Sequence, residues 1–222
     1  MMKSIEKSKW NQLGRSLLFP MIALTLMCNT CEVDDDDDVE PTVDLQGALD
    51  DGEALSELLE SYSEKDFYGL TYEGGYIFYI DKDNEVAYIA AKQDFGSSVE
   101  FSDEYFDLGR MLSSNIGKGK SNTETLISEL GNTSSHVART CYSISTEGYS
   151  DWFLPSKSEL YRMRDNIYKN GNAGNFPGGS TNAGYYWHST VSGSRGYAVQ
   201  FVNNSETTPS KANLRPVRQA FY

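Results

Sequence analysis

A few side chains in this 222-residue sequence could act as nucleophiles, bases or metal ligands. Cys141 has His136 five positions before it, which is off the i, i+4 spacing that brings two side chains together on one helix face. One cysteine and two distant histidines, His136 and His188, provide too few ligands for a zinc site. We therefore predict no catalytic residue, no metal site, no cofactor and a protein that is not an enzyme. Cys141 is predicted to be a small buried hydrophobic residue.

The segment Gly117-Lys-Gly-Lys-Ser121 could be taken for a phosphate-binding loop. That motif requires a glycine five residues before its Gly-Lys-Ser, and this position is Ser114. The glycine and lysine content therefore predicts a surface turn rather than a nucleotide site.

Two more cysteines, Cys28 and Cys31, follow an apolar run of eleven residues from Leu17 to Met27. The run is too short to span a membrane, which takes about 20 residues. Four basic residues and one acidic residue precede it, so the pattern predicts a secretory signal. The terminal cysteine resembles that of bacterial lipoprotein signals, in which it is acylated. Cleavage favours a small preceding residue, so Thr30 favours Cys31, with Cys28 as the alternative; an ordinary signal peptide or a disulfide between the two also remains open.

Five consecutive aspartates, Asp34 to Asp38, come next. They lack the alternate ligand spacing and the turn glycine of a calcium loop, and a block of like charges stays solvated. Acidic residues after a lipidated cysteine resemble the surface-export signal of some Gram-negative lipoproteins. We therefore expect a signal peptide at 1–30, a disordered acidic tether at 31–52, and a lipid-anchored, surface-exposed location on the outer membrane.

The charge is divided unevenly along the chain. The sequence has 19 basic and 32 acidic side chains, for a net charge of −13. Residues 31–66 contain fifteen of the acids and one basic residue, whereas residues 67–222 contain 14 basic and 16 acidic residues. The acidity thus belongs to the tether, and the nearly neutral remainder has no large field to recruit polyanions. Nucleic acid is therefore not an expected partner.

Apolar residues with helical spacing predict an amphipathic helix in residues 53–66. This helix either packs on the domain that follows or pairs with copies of itself in an oligomer. Its apolar stripe consists of Ala54, Leu55, Leu58, Leu59 and Tyr62.

Residues 67–222 are predicted to form one domain. β-Branched and aromatic runs at 75–80 and 86–91 predict a hairpin. Ser156-Lys-Ser-Glu159 is a capping box that predicts a helix over 157–168. Two other helices are expected at 123–130, with Asn122 as its cap, and at 135–141. Strands are expected at 185–190, 196–202 and 214–221, and the Gly- and Asn-rich residues 169–184 are expected to form a loop.

Several segments together resemble the Lcl C-terminal domain family, found at the ends of bacterial surface adhesins and lipoproteins. The resemblance spans about residues 68–222. The segments that carry it are Tyr68-Gly-Leu-Thr-Tyr-Glu-Gly-Gly-Tyr-Ile-Phe-Tyr79, Ile116-Gly-Lys-Gly-Lys-Ser-Asn-Thr123, Gly148-Tyr-Ser-Asp-Trp-Phe-Leu-Pro-Ser-Lys-Ser-Glu-Leu160, Tyr186-Trp-His-Ser-Thr190 and Leu214-Arg-Pro-Val-Arg218.

This resemblance implies a C-type-lectin-like α+β domain with two main helices, twisted antiparallel sheets, and first and last strands that meet. It also implies adhesion or glycan binding, and trimers in some members. The chain lacks the Glu-Pro-Asn and Gln-Pro-Asp triplets of calcium-dependent lectins and the cysteine pair of formylglycine-generating enzymes. Neither calcium-dependent sugar coordination nor that catalysis is therefore carried over.

Two functional hypotheses follow. The first is a surface-anchored binding module for a glycan or an extracellular-matrix-type ligand, and the second is a structural or assembly subunit of a surface complex or fimbria-like tip. Asparagine amides hydrogen-bond sugar hydroxyls and a tyrosine ring stacks on a sugar face, so the predicted contacts are Asn172, Asn175, Asn182, Tyr185 and Arg195. The motif residues predicted to be structural are Asp151, Trp152, Leu154, Pro155, Glu159, Trp187, Arg215 and Arg218, with the arginines paired to acids such as Asp151 or Glu159.

Overall fold

The first two apolar runs of the domain form the predicted hairpin. Strands β2 (Gly75–Asp81) and β3 (Val86–Ala91) pair antiparallel, with a register irregularity between Ile77 and Tyr79.

The computed structural model describes residues 43–131, 135–177 and 184–222. Cys28, Cys31, the aspartate run and Asn182 lie outside the described residues, so the signal and the lipid anchor remain predictions.

The strands in the described residues form two sheets. Besides β2 and β3, they are β1 (Thr71–Tyr72), β4 (Gly96–Val99), β5 (Tyr185–Ser192), β6 (Arg195–Gln200), β7 (Glu206–Thr207), β8 (Ala212–Leu214) and β9 (Val217–Phe221). The first sheet has the order β1-β2-β3-β9 and is antiparallel throughout. The second has the order β4-β8-β5-β6-β7, in which β5 and β8 run parallel. The predicted mixed α+β class is confirmed.

Helices lie beside both sheets. They are α1 (Leu45–Asp50), α2 (Leu55–Ser61), α3 (Gly119–Leu130), α4 (Val137–Tyr142) and α5 (Lys157–Met163), which a π-helical turn extends over Arg164–Tyr168. The side chain of Leu160 in α5 packs in one core with Phe78 and Val199, so this helix joins the two sheets. None of the helices in the described ranges is long and apolar enough to cross a membrane.

Helix α2 packs on the domain rather than on a second copy. Leu55, Leu58 and Leu59 are at most 7% exposed, and they share a core with Ile77 and Ile89 of the first sheet. Helix α1, which lies in the last part of the segment expected to be a disordered tether, adds partly buried leucines to the same core. The compact unit therefore begins at Val43.

The strand predicted over 214–221 is instead two strands in different sheets, β8 and β9. Arg215 and Pro216 separate them, and proline has no N–H for a sheet ladder. Arg215 is 2% exposed, and its Nε lies 2.6 Å from Asp94 Oδ1. The last strand does join the N-terminal hairpin, but it pairs with β3 and not with β1.

Seven of the eight motif residues predicted to be structural are buried, and the eighth, Asp151, is exposed. Trp152 and Trp187 are each 1% exposed. The guanidinium of Arg218 forms two hydrogen bonds with Asp151, of 2.7 and 3.2 Å, and lies 3.8 Å from the ring centre of Tyr149. Arg218 thus has the predicted partner, whereas Arg215 pairs with Asp94 and not with Asp151 or Glu159.

Helix α3 begins before the predicted position. Asn122 does not cap it but lies in its second turn, where the side chain is 5% exposed. The Asn122 amide donates hydrogen bonds to Ser113 O (2.7 Å) and Ser189 Oγ (3.2 Å). This helix is therefore tied to β5, the central strand of the second sheet.

Candidate functional site

The residues predicted to contact a ligand do not form one surface. Tyr185 lies at the start of β5 opposite Gln200, whereas Arg195 lies at the far end of the β5–β6 hairpin opposite Ser192. A strand rises about 3.3 Å per residue, so these two side chains are roughly 20 Å apart. Because the hairpin separates them, Tyr185 and Arg195 cannot contact the same small ligand.

Two of the predicted asparagines lie in a turn after the π-helical segment. The Asn172 amide is used within this turn, since Nδ2 donates to Phe176 O (3.1 Å) and Oδ1 accepts from Phe176 N (2.8 Å). Both Asn172 and Asn175 have positive φ angles, 51° and 49°, a conformation in which asparagine is enriched. Asn172 therefore shapes the turn, while Asn175 is exposed and its role stays a prediction.

Arg195 lines an open cleft of about 480 Å³ on one face of the β5–β6 hairpin. We name it the Tyr105 cleft, because Tyr105 at its rim is 84% exposed. Phe101 and Trp187 form its floor, with their rings edge to face at 5.4 Å. Its other polar groups come from Glu100, Ser102, Glu104, Ser194, Thr208 and Ser210.

The opposite face of the hairpin borders a second cleft, of about 440 Å³, which we name the Lys157 cleft. His188 and Tyr197 are cross-strand neighbours, and side chains alternate between the faces of a strand, so both lie on the face away from Trp187. Tyr197 from β6 and Tyr161 from α5 line the cleft, and Met111 at its rim is 70% exposed. Its hydroxyl groups come from Ser114, Ser158, Thr190 and Ser192.

A charged pair lies in the Lys157 cleft. Lys157 Nζ is 2.6 Å from Glu206 Oε2, and the other carboxylate oxygen, Oε1, is 3.1 Å from His188 Nε2. His188 is fully buried, and its ring is stacked nearly parallel to that of Tyr197. Glu206 lies on β7, opposite Val199 of β6, so the sheet sets its position. Both oxygens of one carboxylate are therefore held, although the side chains of Lys157 and Glu206 keep 29% of their surface exposed.

The pKa shifts of Lys157 and Glu206 keep both groups charged at neutral pH. The hydrogen bond from His188, followed by that from Lys157, lowers the pKa of Glu206 to about 2. Burial lowers the pKa of His188, so its ring is neutral and Nε2 donates to the carboxylate. Burial alone would lower the pKa of Lys157, but the hydrogen bond and charge of Glu206 raise it above the usual value. At neutral pH the pair is therefore one ammonium beside one carboxylate.

Backbone contacts hold the start of α5 against β5. The amide of Lys157 donates to Thr190 Oγ1 (3.1 Å), and the amide of Ser189 donates to Pro155 O (2.8 Å). The Ser156–Glu159 capping box is formed as predicted, with Ser156 N donating to Glu159 Oε2 at 2.8 Å. These contacts place Lys157 and Tyr161, which are four residues apart on one helix face, beside the strand that carries His188.

The Gly117-Lys-Gly-Lys-Ser121 segment binds a carboxylate of its own chain. Glu159 Oε1 accepts from Gly117 N (2.8 Å) and Gly119 N (3.3 Å), at the start of α3. Glu159 is fully buried, and burial raises its pKa to about 7 against the opposing effect of these hydrogen bonds. A Cβ at Gly119 would clash with this carboxylate. Gly119 therefore serves to admit Glu159, whereas Gly117 has a φ of 81°, in the left-handed region that favours glycine.

The other candidate groups for chemistry lie apart from both clefts. Cys141 is a buried free thiol whose pKa is raised by burial, which disfavours the thiolate. His136 caps α4, with Nδ1 accepting from Arg139 N at 3.2 Å. Within residues 43–131, 135–177 and 184–222, no group of three or more His, Cys, Asp or Glu side chains could hold a metal ion.

No protein-family model matches this chain, and a search of curated proteins finds no significant match. Its assignment to a family therefore remains a proposal.

Sequence reasoning did not nominate the residues of the Lys157 cleft. Glu206 is 49 positions from Lys157 and 18 from His188, so no local spacing connects them. Side chains alternate along Tyr186-Trp-His-Ser-Thr190, so His188 lies on the face opposite Trp187, but residues on both faces are buried and the pattern does not single out a site.

Proposed function

We propose that this chain is a surface-anchored lipoprotein whose folded part is a non-catalytic binding module for a glycan or extracellular-matrix-type ligand, and that the Lys157 cleft binds that ligand. The observation that carries the proposal is the fixed Lys157–Glu206 pair beside two tyrosine rings. An ammonium donates to sugar hydroxyls and a carboxylate accepts from them, while the rings offer flat apolar surface. A few placed polar groups in a partly apolar concavity are the usual form of a ligand site.

The hydrogen bonds around the pair favour binding as well. Glu206 is held by His188 and Lys157, and the first turn of α5 is held by Thr190. Groups that are already ordered lose little conformational entropy when a ligand binds. One cation beside one anion also favours an uncharged ligand, which suits a neutral glycan better than a sulfated one.

We further propose that the folded part is C-type-lectin-like, as the resemblance to Lcl C-terminal domains implies. Two features support this. The last strand pairs with the N-terminal hairpin, and the two arginines of the Leu214-Arg-Pro-Val-Arg218 motif are buried at the junction of strands and loops.

The surface location and the outer-membrane anchor are proposed from the signal, from Cys31 or its alternative Cys28, and from the acidic tether. Mass spectrometry of the mature N-terminus tests them: an acylated cysteine is expected, and an unmodified terminus would contradict the anchor.

The helix proposed as the contact surface in the assembly-subunit alternative is buried within its own chain. That hypothesis required the apolar face of the helix in residues 53–66 to contact another copy, but Leu55, Leu58 and Leu59 are buried against β2 and β3 of the same chain. Replacing Leu58 with aspartate would therefore unfold the N-terminal layer instead of dissociating an oligomer.

A neutral-glycan array tests the binding function. We expect the full chain to bind at least one glycan, the Glu206→Gln variant to lose about tenfold or more in affinity through weaker hydrogen bonds, and Glu104→Gln, the same change in the Tyr105 cleft, to bind normally. Absence of binding at every concentration, or loss of binding in Glu104→Gln but not in Glu206→Gln, would contradict the proposal.

A further inference from the structure

The outer edge of β9 is only partly paired. Along this strand, Pro216 O accepts from Ala91 N (3.0 Å) and Tyr222 N donates to Glu85 O (3.2 Å), so even-numbered residues direct their backbone groups toward β3. Because backbone groups alternate along a strand, odd-numbered residues direct theirs to the other side. Val217 follows this rule, since its N–H and C=O bond Phe153 at 2.9 and 2.8 Å.

The next two odd-numbered residues, Gln219 and Phe221, have outward N–H and C=O groups with no backbone partner among the described residues. An antiparallel continuation from Phe153 would place Asp151 opposite Gln219, but there the chain diverges from β9 and Asp151 contacts Arg218 through its side chain. The Phe153–Val217 bridge is therefore followed by an unpaired strand edge at Gln219 and Phe221.

A cleft of about 290 Å³ lies along this open stretch. Its lining residues are Glu73, Lys120, Asp151, Phe153 and the strand residues Arg218 to Phe221. Arg218 is paired with Asp151 and Glu73, whereas Lys120 forms no ion pair within the part of the chain that the structure describes. Phe221 is 73% exposed. Folded proteins commonly protect a strand edge with a proline, a bulge or charged side chains. The one charged residue of β9, Arg218, is paired with Asp151 and Glu73, and Gln219-Ala-Phe221 beyond it has none of these features.

We propose that this edge is a peptide-binding site, which takes an extended segment of a partner protein antiparallel to β9. The segment would extend the Phe153–Val217 bridge by pairing with Gln219 and Phe221, place an acidic side chain near Lys120 and pack an apolar one on Phe221. Main-chain pairing supplies the affinity in this mode of recognition, and the flanking side chains supply the specificity. The site is separate from the Lys157 cleft and does not depend on glycan binding.

Panning a display library of random linear 12-residue peptides on the full chain tests the site. The decisive variant is Gln219→Pro, which removes an outward N–H and leaves the hydrogen bonds to β3 in place. The matched control is Gln219→Ala, which keeps the N–H. We expect enriched acidic peptides that bind wild type and Gln219→Ala alike, bind Gln219→Pro about tenfold more weakly, and lose affinity for Lys120→Glu.

Hydrogen exchange gives a second readout that requires no variant. In the free chain, the amides of Gln219 and Phe221 should exchange much faster than those of Arg218 and Ala220, and a synthesised peptide from the enriched group should protect them. A library that yields no binder, or a peptide that binds Gln219→Pro as well as wild type and leaves both amides unprotected, would overturn the proposal.

Discussion

The Tyr105 cleft and the Lys157 cleft lie on opposite faces of the β5–β6 hairpin and have similar volumes, about 480 and 440 Å³. They differ in how their polar groups are held. In the Lys157 cleft, His188 and Lys157 bind the two oxygens of Glu206. In the Tyr105 cleft, Glu104 has no side-chain hydrogen bond or ion pair among the described residues, and Tyr105 extends into solvent.

This difference teaches that an exposed aromatic ring is a weaker indication of a site than a charged group with ordered partners. Ordering a long polar side chain upon binding costs about 0.5–1.5 kcal/mol. In the Lys157 cleft, Lys157 and Glu206 are already ordered in the folded chain, so a ligand does not have to order them. The floor of the Tyr105 cleft, by contrast, is the outer wall of a hydrophobic core that includes Phe101 and Trp187. Four substitutions in the two clefts test this comparison, and one at Glu159 tests a buried carboxylate outside both.

The largest expected effect is that of Trp187→Ala in the floor of the Tyr105 cleft. Trp187 is 1% exposed, and its Nε1 donates to Val99 O at 3.0 Å. Removing a buried indole should lower the free energy of unfolding by about 3–5 kcal/mol, measured by denaturant unfolding. A variant of unchanged stability that loses only a ligand would show instead that Trp187 is a binding residue.

Glu159→Gln should have the next largest effect, because Glu159 joins α5 to the loop before α3. A glutamine NH₂ cannot accept a hydrogen bond, whereas both oxygens of a carboxyl group can. One backbone donor among Ser156, Gly117 and Gly119 would therefore lose its acceptor, which costs about 1–3 kcal/mol of stability. Folded Glu159 keeps its proton up to about pH 7, above the usual 4.5, so wild type loses stability as the pH rises through that window. The glutamine variant does not titrate, so its deficit should be larger at pH 4.5 than at pH 8.

Thermal unfolding across this pH range measures the effect, with Glu124→Gln on the exposed face of α3 as the matched control. A Glu159→Gln deficit that is the same at both pH values would show that folding does not raise the pKa of Glu159.

Local signals in the sequence predicted a large part of this fold. The hairpin of β2 and β3 follows from two adjacent runs of β-forming residues, and the start of α5 follows from Ser156 and Glu159, three positions apart. Both depend on interactions between close neighbours in the chain, which a pattern can record.

The misplaced elements depend on long-range contacts. Arg215 interrupts the predicted C-terminal strand because it binds Asp94, 121 positions away. Helix α3 starts early, at Gly119, whose amide donates to Glu159, 40 positions away. The Lys157 cleft was missed for the same reason, since β7 is a two-residue strand whose only function in the site is to place Glu206.

A smaller effect is expected from Glu206→Gln, and it should depend on pH in the opposite direction. The folded-state pKa of about 2 lies below the usual 4.5, so the carboxylate contributes stability above pH 4.5 that is lost as the pH falls toward 2. Because the side chain is partly exposed, the contribution should be about 1 kcal/mol or less. Acid unfolding followed by circular dichroism should be less steep in this variant, whereas Glu104→Gln should retain the wild-type profile.

The smallest expected effect on stability is that of Tyr105→Ala, and it is the sharpest test of which cleft binds. Tyr105 is 84% exposed, so its removal should change the free energy of unfolding by no more than about 0.5 kcal/mol. If the Lys157 cleft is the glycan site, this variant should bind as wild type does, while Tyr161→Ala should bind more weakly. If instead Tyr105→Ala folds normally and loses glycan binding, the exposed ring is the platform and the ordered Lys157–Glu206 pair is structural. Because Tyr161 packs against the core that contains Leu160, the unfolding transition of Tyr161→Ala is measured first and binding is compared where both variants are folded.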